Sequence, residues 1–551
     1  DAAADLSPDD DSRAARRLAG IEARWLAGET EAVLRAGRPL VAAEPDPLRR
    51  ARLAVPVGQA VLWWEGPAAG ARYLTAEADR VGGVDAVLAG YLDLYAAQSH
   101  LLALDPRAVV DAASRAGAHG LAAGDVGVSF MAQALEGLGR LLVGEADTAD
   151  RMLAPLTDMC PALLGAQVEG ASAMAQVLSF AHIAAERWDA ARELIVGVIA
   201  EGERTGHVGM TTLAHDQLGE LEWRQGRWAE AAARITHALT LAEGQDQDQP
   251  LVHQGHLRLA RIDAVRGRTA AARPVATVAL EVGRRTGWRS LVIWAHEVLA
   301  LAADADGGPG DALPHTEALS VISADQGIRH PGVLWWQAAH VEALAAVGRT
   351  ADAHRALDTL RSDAAAAGGR WPVAAVARGE AVLAADPARA AERLDEAVDL
   401  LAGLGAGFEL ALTLLARARL HGSAARAAGR GAGAAAHADA AAHDLGEAHA
   451  RFVQLDARPW ADRAAQAARL DDPARPPRPP APPVLAATLT DAEMRVALAV
   501  GGGASNREAA DQLFLSVKTV DSHLQSIYRR LSIRSRSQLA ALVARELGPA
   551  G

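Results

Sequence analysis

The sequence predicts an all-α protein, a long array of paired helices followed by a small four-helix unit, on three observations. Alanine dominates the composition while aromatic residues make up only 4%, a balance that favours helix over sheet. A short phrase recurs through the body at steps of 40 and 41 residues, and once at 81. The last sixty or so residues hold three S/T-x-x-E/Q capping boxes in close succession, each a marker of a helix start.

The recurring phrase is a small or polar residue, an arginine, Trp or Thr, then alanines. It reads Glu186-Arg187-Trp188-Asp189-Ala190-Ala191, Gly226-Arg227-Trp228-Ala229-Glu230-Ala231, Gly267-Arg268-Thr269-Ala270-Ala271-Ala272 and Gly348-Arg349-Thr350-Ala351-Asp352-Ala353. Gly308, followed by Gly310-Asp311-Ala312, stands near the skipped position. Gly144-Glu145-Ala146 precedes the series and Asp386-Pro387-Ala388-Arg389 continues it. A period of about 40 residues with a glycine-bearing turn between two Ala/Leu helices marks an α-solenoid of TPR-like helix pairs. We place it over residues 1–470, although its period exceeds the ~34 residues of the usual TPR. The pairs Trp63-Trp64 and Trp335-Trp336 suit core packing first and the lining of a concave face second. Glu447–Arg469, with Phe452 and Trp460, reads as the closing repeat. Gly422–Ala442 is either a weakly packed helix or a loop.

Residues 471–486 read as a linker. Seven prolines fall between Pro473 and Pro483, which excludes a continuing helix and favours an extended, stiff spacer.

Residues 487–551 form the four-helix unit. Thr490 with Glu493, Ser505 with Glu508, and Ser535 with Gln538 open helices near 490–501, 505–513 and 535–547. Ser516 opens a fourth, to about Leu531. Along it Val517, Val520, Leu524, Ile527 and Leu531 make one apolar stripe. Lys518, Thr519, Asp521, Ser522, Gln525, Arg529 and Arg530 make a face of donors and cations, suited to the major groove of DNA. Only Phe514 and Leu515 separate Leu513 from Ser516, so the two helices cross steeply, as in a helix-turn-helix.

Charge and residue usage narrow the function. The formal net charge is −13. Residues 489–551 carry eight basic and six acidic side chains, leaving +2 there and −15 elsewhere. Phosphate neutralisation drives nucleic-acid affinity, so DNA contact belongs to the C-terminal unit. Lys518 is the only lysine in the chain, which excludes a P-loop upstream. Cys160 is the only cysteine and reads as a buried structural residue; disulfides and multi-cysteine metal sites are excluded. His253 and His256 lack a third ligand nearby and read as a solvated face. Asp246-Gln247-Asp248 lacks the rest of a calcium loop. No nucleophilic or acid–base constellation stands out, so an enzyme is the weaker class and no cofactor is expected. There is no apolar run near twenty residues and no signal peptide, which points to the cytoplasm.

The C-terminal segment resembles the LuxR-type, or GerE-like, DNA-binding domain over residues 487–549. The motif residues are Leu489-Thr490, Glu493, Ser505-Asn506-Arg507-Glu508-Ala509-Ala510, Leu513-Phe514-Leu515-Ser516, Thr519-Val520, His523, Arg530-Leu531 and Arg534-Ser535-Arg536. Ala492, Ala509 and Asp521 depart from the common pattern. An acid at 521 repels phosphate and is expected to face a base edge or solvent. The expected DNA-contacting set is Asn506, Arg507, Ser516, Val517, Lys518, Thr519, Asp521, Ser522, His523, Gln525, Arg529 and Arg530. The whole chain resembles the repeat and C-terminal parts of large ATP-binding LuxR regulators without their nucleotide-binding module, as a truncation or a shorter relative. That resemblance implies a transcriptional regulator, an activator above all. Its partners are then double-stranded DNA, RNA polymerase, and a small-molecule inducer or protein bound to the repeats, with a homo-oligomer compatible and no membrane. The rival is a scaffold whose repeats recruit a protein partner to DNA.

Overall fold

A computed structural model describes residues 7, 9–168, 170–242, 250–384, 386–429, 431–471, 489, 491–501, 504–513, 516–531, 533 and 535–547. Among the described residues every regular element is a helix. The chain divides into two compact units, Asp1–Asp471 and Asp472–Gly551. The proline-rich run after Asp471, the triplet Asp246-Gln247-Asp248, Thr490, the turn residues Phe514 and Leu515, and Arg534 lie outside the described residues.

In the first unit the recurring phrase is a helix-ending turn. The helix Val208–Arg224 closes with Gly226 at φ +72°, and the next helix runs from Trp228 to Leu241. The Gly226 amide donates to the Trp223 carbonyl at 3.0 Å and the Arg227 amide to the Glu222 carbonyl at 2.9 Å. These return bonds satisfy carbonyls that the helix end leaves open, and they need a left-handed residue that glycine supplies without strain. Gly267 and Gly348 do the same before Thr269–Thr286 and Thr350–Ala367. Three residues into each following helix stands an alanine, namely Ala191, Ala231, Ala272 and Ala353, and each is 0% exposed. A methyl is all that separates the paired helices there.

Glu186 fills the same left-handed position without being glycine, at φ +60°. Leu104, Gln167 and Asp456 are left-handed as well, but the Glu186 carboxylate has a second role. It accepts the amides of Arg370 at 2.6 Å and Trp371 at 2.7 Å, the open N–H groups at the start of the helix Arg370–Val382. A side chain thus caps a helix far along the chain.

The array winds back on itself. The amides of Arg329 and His330 both reach the Leu142 carbonyl, at 2.8 and 3.2 Å. Arg463 pairs with Asp304 at 2.8 Å. At Gly308 the structure departs from the repeat phrase expected there. Gly308 takes a positive-φ conformation that favours glycine (φ +108°, ψ 178°) and is followed by a short 3-10 helix, Pro309–Ala312, then Leu313–Gln326. A second 3-10 turn, Pro331–Val333, precedes Trp335-Trp336 and the helix Gln337–Ala346. Proline at both turns removes an amide donor, which favours the break.

Gly422–Ala442 falls in two long helices, Gly407–Ala428 and Ala432–Gln454, packed on each other. Phe452 and Trp460 are fully buried. So is Cys160, whose thiol burial pushes up to about 11, which leaves it unreactive.

Among the described residues the second unit holds the helices Asp491–Gly501, Asn506–Leu513, Val517–Arg530 and Arg536–Leu547. Val496, Val500, Val520, Leu524, Ile527 and Leu539 meet in its core.

Candidate nucleic-acid interface and an interior cavity

The polar surface of the second unit is built by caps. Ser505 and Glu508 make the reciprocal box: the Glu508 amide donates to Ser505 Oγ at 3.3 Å, and the Ser505 amide to Glu508 Oε2 at 2.7 Å. That second bond holds the Glu508 carboxyl below its ordinary range. Ser516 caps the third helix, its Oγ accepting the Thr519 amide at 3.0 Å. Ser535 accepts the Gln538 amide at 3.2 Å.

Val520, Leu524 and Ile527 turn one side of Val517–Arg530 into the core. Val517, on the first turn, leaves the expected apolar stripe: it is 43% exposed. Ser516, Lys518, Asp521, Ser522, Gln525, Arg529 and Arg530 are exposed, and Thr519 and His523 are half-buried. Arg507 is exposed at the start of the second helix. Arg507, Lys518 and Arg529 make no ion pair among the described residues.

Two internal links were not read from the sequence. Asp521 is exposed to solvent, and its carboxylate is also bonded within the unit. Its Oδ1 accepts Asn506 Nδ2 at 2.6 Å, because Asn506 opens the second helix beside it. Arg536 Nη1 donates to Asn506 Oδ1 at 2.9 Å and its Nη2 to the Ala504 carbonyl. The chain Asp521–Asn506–Arg536 therefore ties the second, third and fourth helices together. Arg530, expected on the contact face, lies 3.4 Å from Glu493, which also accepts Ser526 Oγ at 2.7 Å. No periodicity within one helix signals partners 15 or 30 residues apart.

The first unit holds an open cavity of about 770 Å³, counting its mouth. Its aromatic lining is Trp223, Trp228, Trp335, Trp336 and Phe408; its carboxylates are Glu297, Asp304, Glu342 and Glu409. Trp223 and Trp228 stack at 4.9 Å, and Trp228 meets Phe408 at 5.3 Å. Trp335 stacks on Trp371 at 5.0 Å. The Trp335-Trp336 pair is thus wall as well as core. Of the other pair, Trp63 packs on Trp288 at 5.1 Å, while Trp64 is 52% exposed. A neighbouring open chamber of about 750 Å³, again counting its mouth, shares Trp223, Arg224, Glu297 and Trp335.

A buried ion network lines the second chamber and reaches the first through Arg224. Glu220 receives Arg224 Nε at 2.8 Å and is also bonded by Arg258 and Arg261. These three guanidinium groups hold its carboxyl far below the usual range against the cost of burial. Arg258 also meets Asp216 at 2.7 Å. Farther along, Arg378 serves both Glu342 at 2.6 Å and Glu409 at 2.7 Å.

Residues 487–543 match the model of the family described as "Bacterial regulatory proteins, luxR family". Over 49 residues the chain is 43% identical to the nitrate/nitrite response regulator protein homolog of Haemophilus influenzae. That match covers 9% of this chain and 24% of the relative, so the chain spans about a quarter of that relative's length. Among solved structures, a Rap protein complexed with competence and sporulation factor aligns at a TM-score of 0.46 and 10% identity. The alignment covers 64% of this chain and 99% of that one. A circular tandem repeat protein aligns at 0.13 and 13% identity, covering 83% and 96%.

Proposed function

Taking as premise that residues 487–543 form a LuxR-type DNA-binding domain and that the chain is a DNA-binding transcription regulator, we propose that it is a sequence-specific activator. Its helical repeats sense a ligand or a partner protein and thereby govern the DNA reader, which recruits RNA polymerase. The observation that carries this reading is the helix Val517–Arg530, capped by Ser516, apolar on its buried side and polar on its exposed side.

In this reading the first turns of that helix enter the major groove. Lys518, Arg507 and Arg529 neutralise phosphates, and Ser522 and Gln525 reach base edges. Exposed Val517 offers an apolar contact for a thymine methyl. Thr519, His523 and Arg530 flank the contact, with Ser516 at its entry. Asn506 and Asp521, bonded to each other, hold the second helix in register against the third.

Genome-wide mapping of sites bound by the full chain tests the proposal. One enriched sequence motif upstream of promoters, lost in the Lys518→Ala/Arg529→Ala chain, is the expected result. Uniform occupancy without a motif overturns sequence-specific regulation. Enrichment that follows a co-purifying protein instead favours the scaffold reading.

A further inference from the structure

The cavity of the repeats has a chemical bias. Its walls are indole and benzene faces, and its polar lining is acidic. Four carboxylates face it, while the one guanidinium in the lining, Arg224, is spent on Glu220 and on the carbonyls of Gly332 and Val333. Behind the wall, the single guanidinium of Arg378 serves both Glu342 and Glu409. Glu342 uses only Oε1 for that pairing. Glu297 has one long contact, 3.3 Å to Arg261, and that arginine is already bonded to Glu220. Asp304 is matched by Arg463, so the negative charge left over rests on Glu297, Glu342 and Glu409. Burial, with Glu342 adding to it, raises the Glu409 carboxyl above its ordinary range.

A second observation points to a guest. Gln217 lines the adjoining chamber at 8% exposure; its Nε2 donates to the Gln176 carbonyl, and its Oε1 has no partner. A buried acceptor without a donor is unfavourable, and a guest that extends a donor into the adjoining chamber removes that penalty.

We propose that this cavity binds a small organic cation, an ammonium group carried on an apolar body, and that such a cation is the ligand the repeats sense. Trp223 and Trp335 already carry Arg261 and Arg224 over their rings, so Trp228, Trp336 and Phe408 are the rings left to attract the guest, through their quadrupoles and apolar contact, and the carboxylates supply the counter-charge. An anionic guest meets repulsion from Glu342 and Glu409, and a neutral one leaves the excess charge unanswered. This inference rests on the sensor reading above but is tested apart from it.

The test is calorimetry on the unaltered full chain with phenethylammonium, benzyltrimethylammonium, the neutral 3-phenylpropanol, the anionic 3-phenylpropionate and cellobiose as a neutral saccharide. Both cations are expected to bind at least tenfold more tightly than any of the others. Glu297→Gln and Glu342→Gln, each checked by thermal melt, are expected to weaken cation binding severalfold and leave 3-phenylpropanol unchanged. Equal binding of the phenyl probes, preference for cellobiose, or no binding by any probe overturns the inference. The DNA affinity of the same samples separates the two ideas. A cation that binds without changing it keeps the inference and sinks the sensor reading. A neutral guest that binds and changes it does the reverse.

Discussion

The carboxylate of Glu186 accepts the amide of Trp371 at 2.7 Å across 185 residues of chain. With the Arg370 amide on its other oxygen, one left-handed residue ends one helix and starts another. Glu186→Ala keeps the backbone strain and loses the cap, and is expected to cost about 1–3 kcal/mol. Glu186→Gly loses the cap but relieves the strain, so it should fall between wild type and alanine. Urea titrations of the three chains check the order. If alanine matches wild type, the long-range cap is not stabilising.

In the DNA reader, stability and contact are expected to separate. Leu524 is 5% exposed in the core, so Leu524→Ala should cost about 2–5 kcal/mol and unfold the unit. Lys518→Ala should leave the melt unchanged, weaken binding on every sequence and lower the salt slope by about one. Gln525→Ala should relax preference at one base pair, at about 1–3 kcal/mol. Melts run beside binding titrations distinguish these classes, and a Lys518→Ala variant that melts early contradicts the division.

Arg536 and Arg507 make a sharper contrast. Arg536 holds Asn506 and the Ala504 carbonyl, whereas Arg507 has no ion pair among the described residues. Arg536→Ala is expected to lower the stability of the C-terminal unit by about 1–3 kcal/mol. Arg507→Ala is expected to change only DNA affinity. Equal melting temperatures for the two variants would count against the three-helix tie.

Acid should weaken the repeat body in a defined window. His182 and His330 are each 3% exposed, and burial, with Arg187 and Arg224 as their nearest cations, lowers both to about 4. Each Nδ1 accepts a bond, from Arg187 Nε at 2.8 Å and from the Gly332 amide at 3.1 Å, which requires an unprotonated nitrogen. Between pH 6.5 and 4 the unfolded chain thus binds protons that the folded chain refuses. This part of the stability is complete above pH 6.5 and is lost as pH falls toward 4, by about 1.4 kcal/mol per unit for each such histidine. His330→Asn keeps an acceptor for Gly332 and should flatten the slope. An unchanged slope removes His330 from the account.

The helix class and the turns were legible because they depend on neighbours in sequence. Ser505 with Glu508 and Ser516 with Thr519 are three residues apart, and the glycine turns recur with the repeat. The departures share a different cause. Asn506 bonds Asp521 and Arg536 on two other helices, and Val517 stands exposed at the first turn. The ions of the cavity went unread because each pair spans a repeat: Glu220 to Arg258 is 38 residues, Arg378 to Glu342 is 36, and Arg378 to Glu409 is 31. All sit on the first helix of a pair. A charge recurring at that step within otherwise alanine-rich helices is the signal that could have revealed them.

Lys518, the one lysine of the chain, stands exposed on the first turn of the third helix. Chemistry aimed at a side-chain amine consequently has a single address among these 551 residues, and an acylating dye or a lysine-directed cross-linker reports on that turn. A single label, protected or not when a duplex is added, makes the occupancy of the DNA reader countable one molecule at a time.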